Sequence, residues 1–216
     1  MIITDSAKYV LDHLLSIKSN PRNILIKSLC EAHLPEMNFE GIQIKQGFNF
    51  SYAYLRETKF INALLYQVNF TKSNFANSIF TSTKIFQVNF TSCYLNNCEW
   101  SSNDIISANF TLAEGGNLNF NECNIYDTNF TNSKFEKIHF EMTKLINPNF
   151  TNSILTNCIF INSSVVSANF TESDLSNAIF RNIDLSTANF TNANLENTVF
   201  ENCNINKDQL KVAKVK

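Results

Sequence analysis

Four glycines and three prolines in 216 residues leave this chain short of ordinary loop chemistry. A glycine-rich loop that cradles phosphate has no material to be built from. Charge is scarce too, since Asp, Glu, Lys and Arg make up 17% against roughly a quarter in a typical soluble domain. The formal net charge of −2 singles out no partner by itself. No apolar run approaches the ~20 residues that cross a bilayer, so no membrane role is expected. Met1 to Lys18 lacks a basic start followed by an apolar block, so no cleaved leader is expected and a cytoplasmic protein is. His13, His33 and His139 share no ligand spacing with the six cysteines, which argues against a metal centre. No paired carboxylates or triad spacing stand out. No catalytic residue and no cofactor are expected.

What the chain does have is a period. In residues 169–191, Phe170, Leu175, Phe180, Leu185 and Phe190 recur every five positions. Two residues before them stand Ala168, Ser173, Ala178, Ile183 and Ala188, mostly small. Neither the helix period of 3.6 nor the strand period of 2 gives a strict five. A fixed short period points to a solenoid whose units each make one side of a coil. From Phe50 to Ile205 the frame never slips, giving 32 central positions of which only Gly115 is not large and apolar. Between residues 50 and 205, no Lys, Arg, Asp, Glu or His occupies a central position or the position two before it.

Grouped by twenty, the central residues form four rows. Phe50, Phe70 and Phe90 begin a row that is Phe through Phe190; Phe60 and Phe80 begin a second, with Trp100 its one exception. The rows between are mainly aliphatic, as in Leu55, Leu95 and Leu155, and Leu65, Ile85 and Ile105. Eight coils at strand spacing make a rod on the order of 38 Å long. The triplets Ala168-Asn169-Phe170, Ser173-Asp174-Leu175, Ala188-Asn189-Phe190 and Ala193-Asn194-Leu195 resemble the pentapeptide-repeat family. That resemblance implies a right-handed quadrilateral β-helix, an all-β solenoid.

The ends are of another kind. Asp5 or Ser6 can cap a helix through Ile17, and Asn20-Pro21 can open a second that carries Ile24, Leu25 and Leu29 and stops before Pro35. Residues 1–36 are therefore expected to be a helical cap on the exposed first coil, 37–207 the solenoid, and 208–216 a short tail, helical or frayed. Phe39 to Ile44 keeps the five-residue step, whereas Ile44 to Phe50 takes six. One inserted residue near Gly47, absorbed by a bulge, resets the phase.

Cys93, Cys98, Cys123, Cys158 and Cys203 sit two before a central residue, where Ala, Ser and Thr also occur, so they read as small core residues; Cys30 falls in the expected cap. The seven Asn-Phe-Thr triplets are formally glycosylation sequons, and the repeat accounts for them. Gly115-Gly116 removes one core side chain, and Pro148 takes an inward position without an amide donor.

Function has to be sought on the surface. Residues 1–90 carry nine basic and six acidic groups, +3; residues 91–205 carry four basic and twelve acidic, −8. The twelve are Glu99, Asp104, Glu114, Glu122, Asp127, Glu136, Glu141, Glu172, Asp174, Asp184, Glu196 and Glu201. By contrast, the Asn-Phe-Thr side is almost uncharged, with Asn109, Thr111, Asn129, Thr131, Asn149, Thr151, Asn169 and Thr171 as its central stretch. The leading expectation is a non-enzymatic protein that engages a macromolecule through its rod surface. The family resemblance adds a second: a DNA mimic of the quinolone-resistance type, which binds DNA gyrase or topoisomerase IV and not nucleic acid itself, with dimerisation a feature of that group. Delivery into a host cytosol as an effector and ice binding by the Thr rank are further alternatives.

Overall fold

The computed structural model describes residues 28–45 and 47–213. Within them the chain is a four-sided parallel β-solenoid, and its geometry follows the five-residue frame. The sides are numbered here by their central rows. Side 1 holds Phe50 and its equivalents, side 2 Leu55, side 3 Phe60 and side 4 Leu65. Asn49 pairs with Asn69, Asn69 with Asn89 and so on, each bridge parallel and twenty residues long. Side 4 forms a seven-stranded parallel sheet from Gln43–Lys45 to Ser164–Val166. Side 3 splits into sheets of three and four strands, and side 2 contributes the pair Glu114–Gly116 and Lys134–Glu136.

Stacking equivalents on equivalents fills the interior. Phe150 lies over Phe170 with ring centroids 5.2 Å apart and planes 3° apart, and Phe60 over Phe80 at 4.9 Å and 4°. The two aromatic rows meet edge to face across the core, as Phe150 and Phe160 do at 6.4 Å and 85°. Both geometries suit ring quadrupoles, each pair adding about 0.5–1.5 kcal/mol beyond its buried area.

The corners explain the rest of the repeat. Two residues past most centres the backbone takes a positive φ, for example Asn132 at 57° and Asn152 at 57°. Asn is the commonest residue there, because its short side chain tolerates the left-handed region. Two residues before each centre the side chain turns inward. There Ser73 donates to the Phe50 carbonyl at 2.6 Å and Cys93 to the Phe70 carbonyl at 2.9 Å. A small polar group at this point satisfies a corner carbonyl that water cannot reach. The rod cysteines thus act as the serines do. Pro148 occupies one such corner, and its carbonyl still accepts from the Asn169 amide at 3.0 Å.

The N-terminal boundary needs correction. The helix expected over residues 5–17, and the start of the second, lie outside the described residues. Residues 28–36 belong to the solenoid instead of a helical cap. Leu29, Leu34, Phe39 and Ile44 are buried at five-residue steps and centre one more coil. Its bridges are 21 residues long, Ser28 to Asn49 and His33 to Tyr54. The extra residue falls between Lys45, which pairs with Tyr66 21 residues on, and Asn49, which pairs with Asn69 twenty on. Pro35 ends no helix: the amides of Leu34 and Glu36 on either side of it make the coil-to-coil bonds, so its missing donor breaks nothing.

At the other end a helix, Lys207–Lys211, folds against the last coil. Asn206 caps it, and Asn206 and Gln209 bond reciprocally. Leu195, Phe200 and Ile205 are only partly buried, as befits the last layer.

Candidate functional site

The interior offers little room for chemistry. Each central side chain from Phe39 to Phe190 is buried, Gly115 excepted. A shallow notch of about 320 Å³ lies where side 1 turns into side 2, lined by Cys93, Tyr94, Leu112, Glu114 and Lys134 among others. The Cys93 thiol does not open into it as a nucleophile: it is buried, and burial pushes its pKa well above the ordinary thiol value. Among the described residues no three His, Cys, Asp or Glu side chains come together as metal ligands. None of the described helices is long and apolar enough to cross a membrane.

The acidic residues are spread over the rod. Side 2 holds Glu114 and Asp174 in the column before its central row and Glu136 and Glu196 in the column after it, each pair three coils apart. Glu99, Glu122, Glu141 and Glu201 belong to side 3 or its corner; Asp104, Asp127 and Asp184 belong to side 4, and Glu172 to a corner of side 1. No continuous acidic stripe results. Most of these carboxylates are held by neighbours. Glu114 meets Lys134 at 3.1 Å and Glu201 meets Arg181 at 2.7 Å. Asp104 and Asp127 accept from Asn124 and Asn147 at 2.8 and 2.9 Å, one coil on. Asp174 accepts from the Ser176 amide at 3.0 Å and from Asn194 at 2.9 Å. Asp184 is bonded likewise to Ser186 and Asn204, and the Ser186 bonds hold its carboxyl below the usual range. Glu99 accepts from Ser101 and Glu122 from Ser102, both at 3.1 Å, and Glu141 lies 4.0 Å from His139. Among the described residues, Glu136, Glu172 and Glu196 make no side-chain bond.

Side 1 is a rail of Asn and Thr that bonds to itself. Within a coil Thr131 donates to Asn129 Oδ1 at 2.6 Å, and Thr111 does the same to Asn109. Between coils Asn129 donates to Thr111 and Asn169 to Thr151, both at 3.0 Å. The pairs Asn149–Thr151 and Asn169–Thr171 repeat the 2.6 Å bond. These hydroxyls are committed to the rail and half-buried, which leaves a flat face with few free donors.

Two surface features escaped the sequence reading. On the first coils Tyr54 stacks on His33 at 4.6 Å and accepts from Arg56 at 3.1 Å, while Lys72 reaches the Tyr52 hydroxyl at 3.2 Å. On side 4 an outward column of aromatic and aliphatic side chains runs along the seven-stranded sheet. Its signal was present in the residues that follow the central positions from Leu65 to Val165.

Several solved structures match the chain. HetL, a pentapeptide repeat protein involved in heterocyst differentiation regulation from the cyanobacterium Nostoc sp. strain PCC 7120, matches at 16% identity over 90% of this chain and 92% of its own, with a TM-score of 0.34. QnrB1, a plasmid-mediated fluoroquinolone resistance protein, matches in a trypsin-treated form at 19% identity over 88% and 96%, with a TM-score of 0.46. Rfr23 from the cyanobacterium Cyanothece 51142 matches at 15% identity over 92% and 97%, with a TM-score of 0.17. No curated protein gives a sequence match. The pentapeptide repeat region profile covers residues 53–130 and 133–210, most of the rod just described, and the chain belongs to the pentapeptide-repeat family.

Proposed function

We propose that this protein is a non-enzymatic interaction rod that engages a macromolecular partner through its outward columns. One observation carries the reading. The frame commits central side chains to a closed core, so chemical variety is confined to columns that repeat once per coil. A column of like residues along a rigid rod suits an extended partner surface better than a small substrate. Capture of partners by the immobilised full chain, set against three surface variants, tests it. The variants carry Lys at Thr111, Thr131 and Thr151 on side 1, Ala at Glu114, Glu136, Asp174 and Glu196 on side 2, and Lys at Ile106 on side 4. A partner held by the wild-type rod and lost in one variant alone supports the reading. Equal binding by all four rods, or none by any, overturns it.

A second reading is topoisomerase control by DNA mimicry, favoured by the −8 carried on residues 91–205. Against it stands the engagement of most of those carboxylates with neighbours, which ties them to the rod and spreads them over several sides. Binding of this kind weakens steeply with salt. If the chain neither binds gyrase or topoisomerase IV nor changes supercoiling at low salt, the mimicry reading falls and the interaction rod remains.

A further inference from the structure

We propose that side 4 is a self-association face on which two rods pack antiparallel about a two-fold axis through Tyr126. Tyr66, Phe86, Ile106, Tyr126, Ile146 and Val166 each follow a buried central residue and stand in register on six successive strands. Tyr66 is 37% exposed and Val166 39%, with the four between them half-buried. The core does not need this column, because its rows are complete without it. On side 3 the longest comparable outward run is Ile159, Ile179 and Val199. At about 4.8 Å per coil the side 4 column is on the order of 24 Å long. Apolar stripes of such length on a polar surface mark contact sites.

Charge complementarity selects a second copy as the occupant. In the outward column before the side 4 centres stand Lys84, Asp104, Lys144 and Asp184, and antiparallel rods can bring Asp104 of each copy to Lys144 of the other. A two-fold axis lying in the face and perpendicular to the rods keeps like columns opposite each other. Two registers bury the stripe well. Centred between Ile106 and Tyr126, the axis sets Lys84 against Lys144 of the second copy, twice. Centred on Tyr126, it sets Phe86 against Val166, Ile106 against Ile146, and Asp104 against Lys144, twice. The second register exchanges two Lys–Lys contacts for two ion pairs and one approach of Asp127 to its own copy at the corner of the axis coil. Lys144 is already poised near that axis, its ammonium 5.3 Å from the Tyr126 ring centre. Three outward columns over six coils supply roughly 18 residues per copy, close to the ~20 of a standard interface. The dimer should therefore be reversible, with a dissociation constant on the order of 10 micromolar.

The inference stands apart from partner binding, since purified chain alone tests it. Sedimentation equilibrium over rising concentration should carry the mass from 24.6 kDa toward twice that value. Ile106→Lys should weaken association by at least about tenfold, with melting unchanged because the position faces outward. Asp104→Lys or Lys144→Asp alone should weaken it by about tenfold, and the two together should restore it to within about threefold. A chain that stays monomeric throughout overturns the proposal and leaves the stripe to a foreign partner. A dimer indifferent to Ile106→Lys overturns the face, and a double swap without rescue overturns the register. Circular dichroism of each variant confirms that a lost dimer is not a lost fold.

Discussion

A Cβ built on Gly115 would lie 3.1 Å from the carbonyl carbon of Leu95, one coil away. Glycine stands at the one gap in the frame, where Leu95 would have to yield by a few tenths of an ångström to admit a Cβ. Overpacking costs about 1–3 kcal/mol, whereas replacing glycine gains about 0.4–1 kcal/mol by restricting the unfolded chain. The first effect wins. Gly115→Leu, which restores the repeat by sequence, should destabilise the rod by about 1–2 kcal/mol. A denaturant melt followed by the single tryptophan, Trp100, reports it, since that indole is buried between Phe80 and Phe120. A stabilised variant would show that the gap at Gly115 is a vacancy and not a close approach.

The frame itself is tested on one adjacent pair. Phe130 stacks on Phe110 at 5.1 Å and on Phe150 at 4.7 Å, so Phe130→Ala should cost about 3–5 kcal/mol. Thr131→Ala removes one hydrogen bond from the half-buried rail and should cost about 1 kcal/mol. Equal losses in the two melts would contradict the inward and outward assignment.

Most of the fold was legible because stacking leaves central positions no freedom. Phe110, Phe130 and Phe150 must match in size and shape, and a five-residue period is the trace of that constraint. Where the period competed with another, reading failed. Leu25 and Leu29 are four apart, as on a helix face, and Pro35 looked like a stop; the five-step from Leu29 through Leu34 to Phe39 was the better signal. Surface chemistry was harder. Outward residues such as Tyr66 and Ile106 are unconstrained by the core, so their alignment emerges only once coils are in register. The acids were countable from the sequence. Their partners, Asn147 for Asp127 or Arg181 for Glu201, lie twenty residues away and needed the coil to be seen.

Thiol reactivity should follow depth. Burial pushes the Cys98 and Cys123 thiols up to about 12, and drives Cys93 and Cys158 in the same direction. Below those values the neutral thiol persists, so alkylation of the native protein at pH 8–9 should label exposed Cys30 and spare these four. Linkage gives the companion effect. Each of the four holds its proton more tightly folded than unfolded, so its contribution is complete below the unfolded value of about 8.5 and is lost as pH rises toward the folded one. Stability should therefore fall above about pH 8.5. Rapid native labelling of Cys123, read by peptide mass spectrometry, would contradict the buried corner.

The C-terminal helix gives the final expectation. Gln209 ties it to the rod, donating from Nε2 to the carbonyls of Leu185 at 2.8 Å and Ala188 at 2.7 Å, while the Asn192 amide donates to Val212 at 2.7 Å. Gln209→Ala removes both anchors and half of the capping box, and should destabilise the protein by about 1–2 kcal/mol. Deleting residues 207–216 goes further. It frees those carbonyls and leaves the last layer, with Leu195, Phe200 and Ile205 already only partly buried, open to solvent. An uncovered end of parallel strands is a template for another rod, so the truncated chain should associate end to end. Face-to-face pairing on side 4 would confuse that readout, and the truncation is best made in the Ile106→Lys background. Light scattering should then show oligomers that grow with concentration beyond a dimer. A truncated chain that stays monomeric and melts as the full-length variant does would show that the helix rests on the end without sealing it.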